Sequence, residues 1–122
     1  MLNCLFVGMG GFVGVTARYL CGFIPIPQKS GFPFITLCIN FLGALLIGWI
    51  SGISSKSGGM NPQLVLFLKT GVCGGFTTFS TFALESTTLI EKGKTGMALL
   101  YMGFSVIVCI AAVMAGQKIA VG

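Results

Sequence analysis

Between Pro33 and Ile53 the chain carries no charged side chain, and this run removes most folds from consideration. A helix that crosses a bilayer needs about 20 mostly apolar residues at 1.5 Å rise per residue. The second span, about 33–53, meets that need, and Pro33 opens it without losing a hydrogen bond. Three more segments qualify once their breakers are located. The first, about 2–24, closes at Pro25-Ile26-Pro27-Gln28-Lys29-Ser30-Gly31. After the Ser54 to Gly59 loop, Asn61 as N-cap and Pro62 behind it start a third, about 62–90. The polar stretch Glu91 to Gly96 ends it, and the fourth covers about 97–117.

Composition agrees with the solvent this implies. The chain is 55% hydrophobic and 7% charged, with a mean hydropathy of +1.01. It has too few charges to solvate a globule. The start of the chain lacks the basic region and small-residue cleavage site of a secretory signal, so the first segment is expected to remain as a span. The fold class is all-α integral membrane, one domain over residues 1–122 with four transmembrane helices.

The third span is unlike the others. The run Gly71-Val72-Cys73-Gly74-Gly75-Phe76-Thr77-Thr78-Phe79-Ser80-Thr81-Phe82 sets glycines, hydroxyls and phenyl rings in an otherwise lipid-grade chain. From Pro62 to Cys73 and from Phe79 to about Ile90 are two stretches of about 18 Å each at helical rise, against a hydrocarbon thickness of about 30 Å. Neither crosses alone, but joined end to end they do. Gly74 to Thr78 then fall near the midplane, where transporters put unwound backbone and bound ions. The expectation is a third helix broken there. A glycine-flexed packing helix is the competing reading.

Charges give the topology. With four spans, Lys56 and Lys118, with Lys69 just inside the third helix, face one side, and Lys29, Lys92 and Lys94 face the other, near Arg18. Orientation follows the Lys/Arg bias of short loops, and here the bias nearly cancels. Insertion in both directions suggests an antiparallel, dual-topology homodimer. Size argues the same way, because four short helices cannot easily enclose a hydrated path while two subunits can place one between them. Small residues four apart, as in Gly10 and Gly14, Ala44 and Gly48, Gly48 and Gly52, or Gly71 and Gly75, allow close helix approach, within a subunit or across a dimer.

Absences narrow the chemistry. The chain has no histidine or aspartate, and its only acids are Glu85 and Glu91. A catalytic triad, a carboxylate dyad at the midplane and a hard-metal cage all lack parts, so the chain does not read as an enzyme. Cys4, Cys21, Cys38, Cys73 and Cys109 form no C-x-x-C and read as small buried hydrophobes. What stays polar at depth are hydrogen-bond donors: Asn40 in the second span, Thr77, Thr78, Ser80 and Thr81 at the break, and Tyr101 and Ser105 one turn apart in the fourth span. Donors without a fixed carboxylate suit a small anion, although each hydroxyl alone can equally bond its own backbone. Phe76, Phe79 and Phe82 recur every three residues. Their positive ring edges could assist an anion path, or the stripe is packing.

These residues carry a specific resemblance. Gly10-Gly11-x-x-Gly14 with Arg18-Tyr19, Thr36-x-x-x-Asn40-x-x-Gly43, and above all Gly74-Gly75-Phe76-Thr77-Thr78-Phe79-Ser80-Thr81-Phe82 with Glu85 resemble the Fluc/CrcB fluoride channel family, across all four spans. The resemblance implies a fluoride-selective passive channel of two antiparallel subunits, with two pores and one structural sodium ion on the dimer axis. By position, it implies phenyl rings at Phe79 and Phe82 and pore donors at Asn40, Ser80 and Thr81. Tyr101 and Ser105 match the family's polar track, Cys109 departs from it, and sodium would be held by backbone carbonyls of Gly74 and Thr77. It further implies fluoride export across a prokaryotic plasma membrane, protecting against fluoride toxicity. The alternative, a small four-helix proton-coupled multidrug exporter, needs an acid deep in the first span, where this chain has none. A non-transporting membrane assembly factor would explain the glycine pairs but not the clustered hydroxyls.

Overall fold

The computed structural model describes residues 1–26, 30–56 and 58–122. Lys29, with its place in the charge balance, and the Pro27, Gln28 and Ser57 loop positions lie outside the described residues. Every regular element among the described residues is a helix, and none of them is a strand. Its helices are α1 (Leu2–Cys21), α2 (Phe34–Ser54), α3 (Pro62–Val65), a π-helical stretch (Leu66–Cys73), α4 (Gly74–Phe76), α5 (Phe79–Glu91) and α6 (Thr95–Val121).

Among the described residues, four units are long and apolar enough to cross a membrane: Leu2–Cys21, Phe34–Ser54, Pro62–Glu91 and Thr95–Val121. Large apolar side chains such as Phe12, 74% exposed, and Ile107, 69% exposed, cover their outer faces. In water that surface would be a liability; in hydrocarbon it is matched to its solvent. The last helix begins at Thr95 and continues past the apolar segment to Val121, where Lys118 sits in its final turn and complements the helix dipole. Asn61 caps α3 by accepting the Gln63 N–H at 2.8 Å, with Pro62 at the first helical position.

Glycine decides which helices touch. On α1, a Cβ at Gly10 would overlap the Phe67 carbonyl and lie 2.9 Å from Gly71 Cα, and one at Gly14 would overlap the Val72 carbonyl. Positions rise together on the two partners, so α1 runs parallel to the first half of the third span. A second pair forms likewise: a Cβ at Gly48 would overlap the Val113 carbonyl, and one at Gly116 would lie 2.7 Å from the Trp49 nitrogen. Thus α2 runs parallel to α6. Both approaches occur inside one subunit, so the small-residue pairs of the sequence have work within the chain.

Candidate functional site

The helical path of the third span stops at Phe76. Thr77 is extended, with φ −81 and ψ 159, as is Thr78, with φ −150 and ψ 121, before α5 begins at Phe79. Gly74 and Gly75 are themselves helical, so the extended backbone falls just beyond the glycine pair. Two interactions account for the placement. A Cβ at Gly75 would lie 2.9 Å from the Gly11 carbonyl, so this glycine serves close packing on α1. Thr78 instead finds its hydrogen-bond partners on α2.

Asn40 supplies them. Its Oδ1 accepts the Thr78 N–H at 2.8 Å, and its Nδ2 donates to the Thr78 carbonyl at 3.1 Å. The side-chain amide stands in for a peptide group where no water would serve. On the flanks, Thr77 donates twice to the Cys73 carbonyl, from its N–H at 3.0 Å and from Oγ1 at 2.8 Å. The Thr78 hydroxyl accepts the Thr81 N–H at 3.2 Å, capping α5. The Arg18 Nε donates to the Gly75 carbonyl at 3.1 Å. In an unbroken helix that carbonyl would accept the Phe79 N–H. Gly43 of α2 leaves room for the Thr77 methyl, which a Cβ there would overlap.

Around this point lies an open groove of about 330 Å³ between α2, the third span and α6. Asn40, Phe79, Phe82 and Ser105 line it together with Thr77 and Thr78. Phe79 is 77% exposed, and its ring centroid lies 5.5 Å from that of Phe82, which in turn is 5.1 Å from Tyr101. Ser105 is only 5% exposed, and its hydroxyl is the one buried side-chain oxygen or nitrogen without a hydrogen-bond partner among the described residues. Helical serines ordinarily bond back to the preceding turn. This one makes no such bond.

The other sequence candidates lie apart from that groove. Thr81 lines a separate cavity of about 450 Å³ with Arg18, Thr36 and Glu85. Ser80 is exposed, its Oγ 3.4 Å from the Thr78 Oγ1. Tyr101 is fully buried and donates to Glu85 Oε1 at 3.0 Å. Thr36 donates to Glu85 Oε2, also at 3.0 Å. Glu85 therefore ties α2, α5 and α6 together, a role that its place in the motif did not reveal, since both partners come from other helices. Gly74 is exposed, and a Cβ there would meet only the Lys69 carbonyl, at 3.9 Å. The N–H that would reach the Gly74 carbonyl in a continuous helix is that of Thr78, which goes to Asn40.

Four membrane-length helices, with a mostly apolar groove that a few polar side chains enter beside an interrupted span, define a polytopic membrane protein with the construction of a transport protein. A family profile described as "CrcB-like protein, Camphor Resistance (CrcB)" matches residues 5–117. The chain belongs to the CrcB-like family. Among its relatives, the Chlorobium luteolum protein named "Fluoride-specific ion channel FluC" is 42% identical over 106 residues, 87% of this chain and 82% of that one. A Ruminiclostridium cellulolyticum protein of the same name is 41% identical over 121 residues, 98% of this chain and 93% of its own. An Agrobacterium fabrum protein, also so named, is 40% identical over 117 residues, covering 95% and 94%.

Proposed function

We propose that this chain is a fluoride-specific ion channel that lets fluoride leave the cytoplasm passively, and so protects against fluoride toxicity. The observation that carries the reading is the groove where Asn40, Ser105 and the Phe79 and Phe82 rings meet, in a chain whose relatives bear that name across most of their length. A dehydrated anion needs donors in place of water. Ser105 offers a hydroxyl, the second Nδ2 hydrogen of Asn40 remains after its bond to Thr78, and the first-turn N–H groups of α5 other than that of Thr81, which the Thr78 hydroxyl holds, have no intrahelical acceptor. The α5 N-terminus adds the positive end of its dipole. Ring edges of Phe79 and Phe82 contribute a weaker positive field.

In this proposal the working unit is an antiparallel homodimer inserted in both orientations, with the third span broken at mid-depth. Ser80, Thr81, Tyr101 and Ser105 extend the polar path on either side. One sodium ion is held on the axis by Gly74 and Thr77 carbonyls from both subunits. The donor set suits it, because these are hard oxygens at the C-terminal end of a half-helix, and the Thr78 amide is engaged by Asn40. An exposed glycine with nothing but a distant carbonyl near its missing Cβ is consistent with close approach by a second chain. The expected location is a prokaryotic plasma membrane, which fits the bacterial relatives. A potential negative inside drives the anion outward by about 2.3 kcal/mol per 100 mV, so no coupling is needed.

Fluoride efflux from proteoliposomes, read with a fluoride electrode beside a matched chloride experiment, tests the reading. Rapid fluoride loss with chloride retained is expected. Equal loss of both anions, or of neither, would overturn it.

A further inference from the structure

A second open groove, of about 440 Å³, runs between α2 and α6 and takes no part in the conduction path proposed above. Leu42, Leu45, Leu46, Trp49, Gly116 and Ile119 line it, and the indole N–H of the chain's single tryptophan is the one polar side-chain group among them. A Cβ at Gly116 would overlap the Leu45 carbonyl and lie 2.7 Å from the Trp49 nitrogen, so here the two backbones touch. At about 100° per residue, Leu45 and Trp49 lie on one side of Gly48, which meets Val113, while Ala44 and Ile47 lie on the other. The two grooves therefore flank the α2–α6 seam on opposite sides.

Because α2 and α6 run parallel, both end at the same side of the membrane. Two exposed lysines stand at that end, Lys56 and Lys118. The Ser55 and Lys56 N–H groups donate to the Ser51 and Ile53 carbonyls, which carries the helical turn on to Lys56. Seven residues past Trp49, Lys56 falls within about 20° of its face and about 10 Å further along the axis. A Cβ at Gly52 would lie 3.1 Å from the Gln117 carbonyl and 2.6 Å from the Ala120 Cβ, so Lys118 stands level with Gly52, one turn inside Lys56. No acidic side chain offsets the pair. The only two acids are Glu85, within the third span, and Glu91, which closes α5 at the opposite side.

We infer that this groove holds one anionic glycerophospholipid of the phosphatidylglycerol class, with an acyl chain along Leu42 to Trp49 and its phosphate at Lys56 and Lys118. Apolar walls alone do not choose among lipids, since every lipid tail is as apolar as leucine. Selection comes from the lysine end. Each lysine near a membrane surface favours an anionic lipid by about fivefold. Trp49 lies about 8 Å inside the last residue of α2, at the interfacial level that tryptophan prefers, where glycerol ester carbonyls accept an indole N–H.

The single tryptophan also reports on the site. The full chain is reconstituted in phosphatidylcholine containing a small, equal fraction of either acyl-brominated phosphatidylglycerol or acyl-brominated phosphatidylcholine, and bromine quenches the Trp49 fluorescence on contact. Brominated phosphatidylglycerol should be preferred by about 25-fold, fivefold for each of the two lysines. Lys56→Gln should lower that preference by about fivefold, and Lys56→Gln with Lys118→Gln should bring the two lipids to parity. Lys92→Gln, at the other side of the membrane, should leave the preference intact. Equal quenching by both lipids in the unmodified chain would overturn the site, as would a preference that survives the double variant or one that Lys92→Gln lowers as much as Lys56→Gln does. Quenching by neither lipid would mean that a second copy of the chain covers the groove, and would overturn it too. The measurement needs no ion flux, so its outcome is independent of the fluoride reading.

Discussion

Asn40 pairs with Thr78 as a neighbouring strand would, accepting its N–H at 2.8 Å and donating to its carbonyl at 3.1 Å. Thirty-eight positions separate them, and the pair bridges α2 to the interrupted third span. In hydrocarbon an unsatisfied backbone group costs several kcal/mol. The side chain at 40 must therefore carry both a donor and an acceptor at short reach, which is the definition of asparagine.

Replacing Asn40 by Ala should expose that dependence. Both Thr78 backbone groups lose their partner, at about 1–3 kcal/mol for each buried group left unpaired. The unfolding midpoint in detergent should fall, and fluoride flux with it. A midpoint equal to that of the unmodified chain would mean that Thr78 is satisfied by other means.

The two phenyl rings should separate flux from stability. Phe79 is 77% exposed and makes few contacts within the subunit, while Phe82 packs between Phe79 and Tyr101. Phe79→Ile and Phe82→Ile should both lower flux severely, because the positive ring edge is lost at similar volume. Phe82→Ile loses two ring pairs and Phe79→Ile only one, so Phe82→Ile should cost the chain more stability, at about 0.5–1.5 kcal/mol for each aromatic pair. Undiminished flux in both variants would return the rings to a packing role.

Glu85 joins three helices through two hydroxyls, and a double-mutant cycle can read that junction. Thr36→Val and Tyr101→Phe each remove one donor to its carboxyl group. Each should cost about 0.5–1.5 kcal/mol. Because the two share one acceptor, their effects should deviate from additivity by about 0.5 kcal/mol or more. Strict additivity would argue against a shared junction.

Much of this was legible in the sequence because membrane helices must be long, apolar and bounded by breakers, and the loops at Pro25, Asn61 and Glu91 satisfy that plainly. The motif from Gly74 to Phe82 also contains the two extended residues, Thr77 and Thr78. What composition could not reveal was which residue releases the helix. The glycines attract notice, yet Gly75 is required by Gly11, and the extended conformation is held at Thr77 and Thr78 by an asparagine far upstream. The π-helical stretch Leu66–Cys73 left no periodic signal, since its residues are ordinary helix formers for a bilayer. Nor could spacing join Thr36, Glu85 and Tyr101, which meet only once three helices pack.

Glycine substitutions should divide into three kinds. Gly10→Ala and Gly14→Ala force a Cβ into the backbone of the third span, and overpacking of this kind costs about 1–3 kcal/mol. Gly8→Ala meets nothing within 4 Å and should leave stability unharmed. Gly74→Val should keep the monomer folded yet weaken the dimer and silence flux, as expected of a glycine at a sodium-bearing axis. Chemical crosslinking beside thermal unfolding distinguishes the three. A fully dimeric, active Gly74→Val protein would contradict the axial role.

The near balance of Lys56 and Lys118 against Lys92 and Lys94, with Lys29, should permit both insertion directions. Adding two lysines to one set of loops should impose one orientation and reduce the number of active dimers. Membrane-impermeant labelling of single cysteines placed in the loops reads this directly. One orientation in the unmodified protein would contradict dual topology.

The central claim is passive, fluoride-selective conduction, and electrical recording across a planar bilayer tests it most directly. With fluoride at unequal concentrations on the two sides, chloride making up the balance, and sodium and pH symmetrical, the current should reverse at the equilibrium potential of fluoride alone. It should stay there when a sodium gradient is imposed. A reversal potential that tracks chloride, or one that moves with the sodium or proton gradient, would contradict the account.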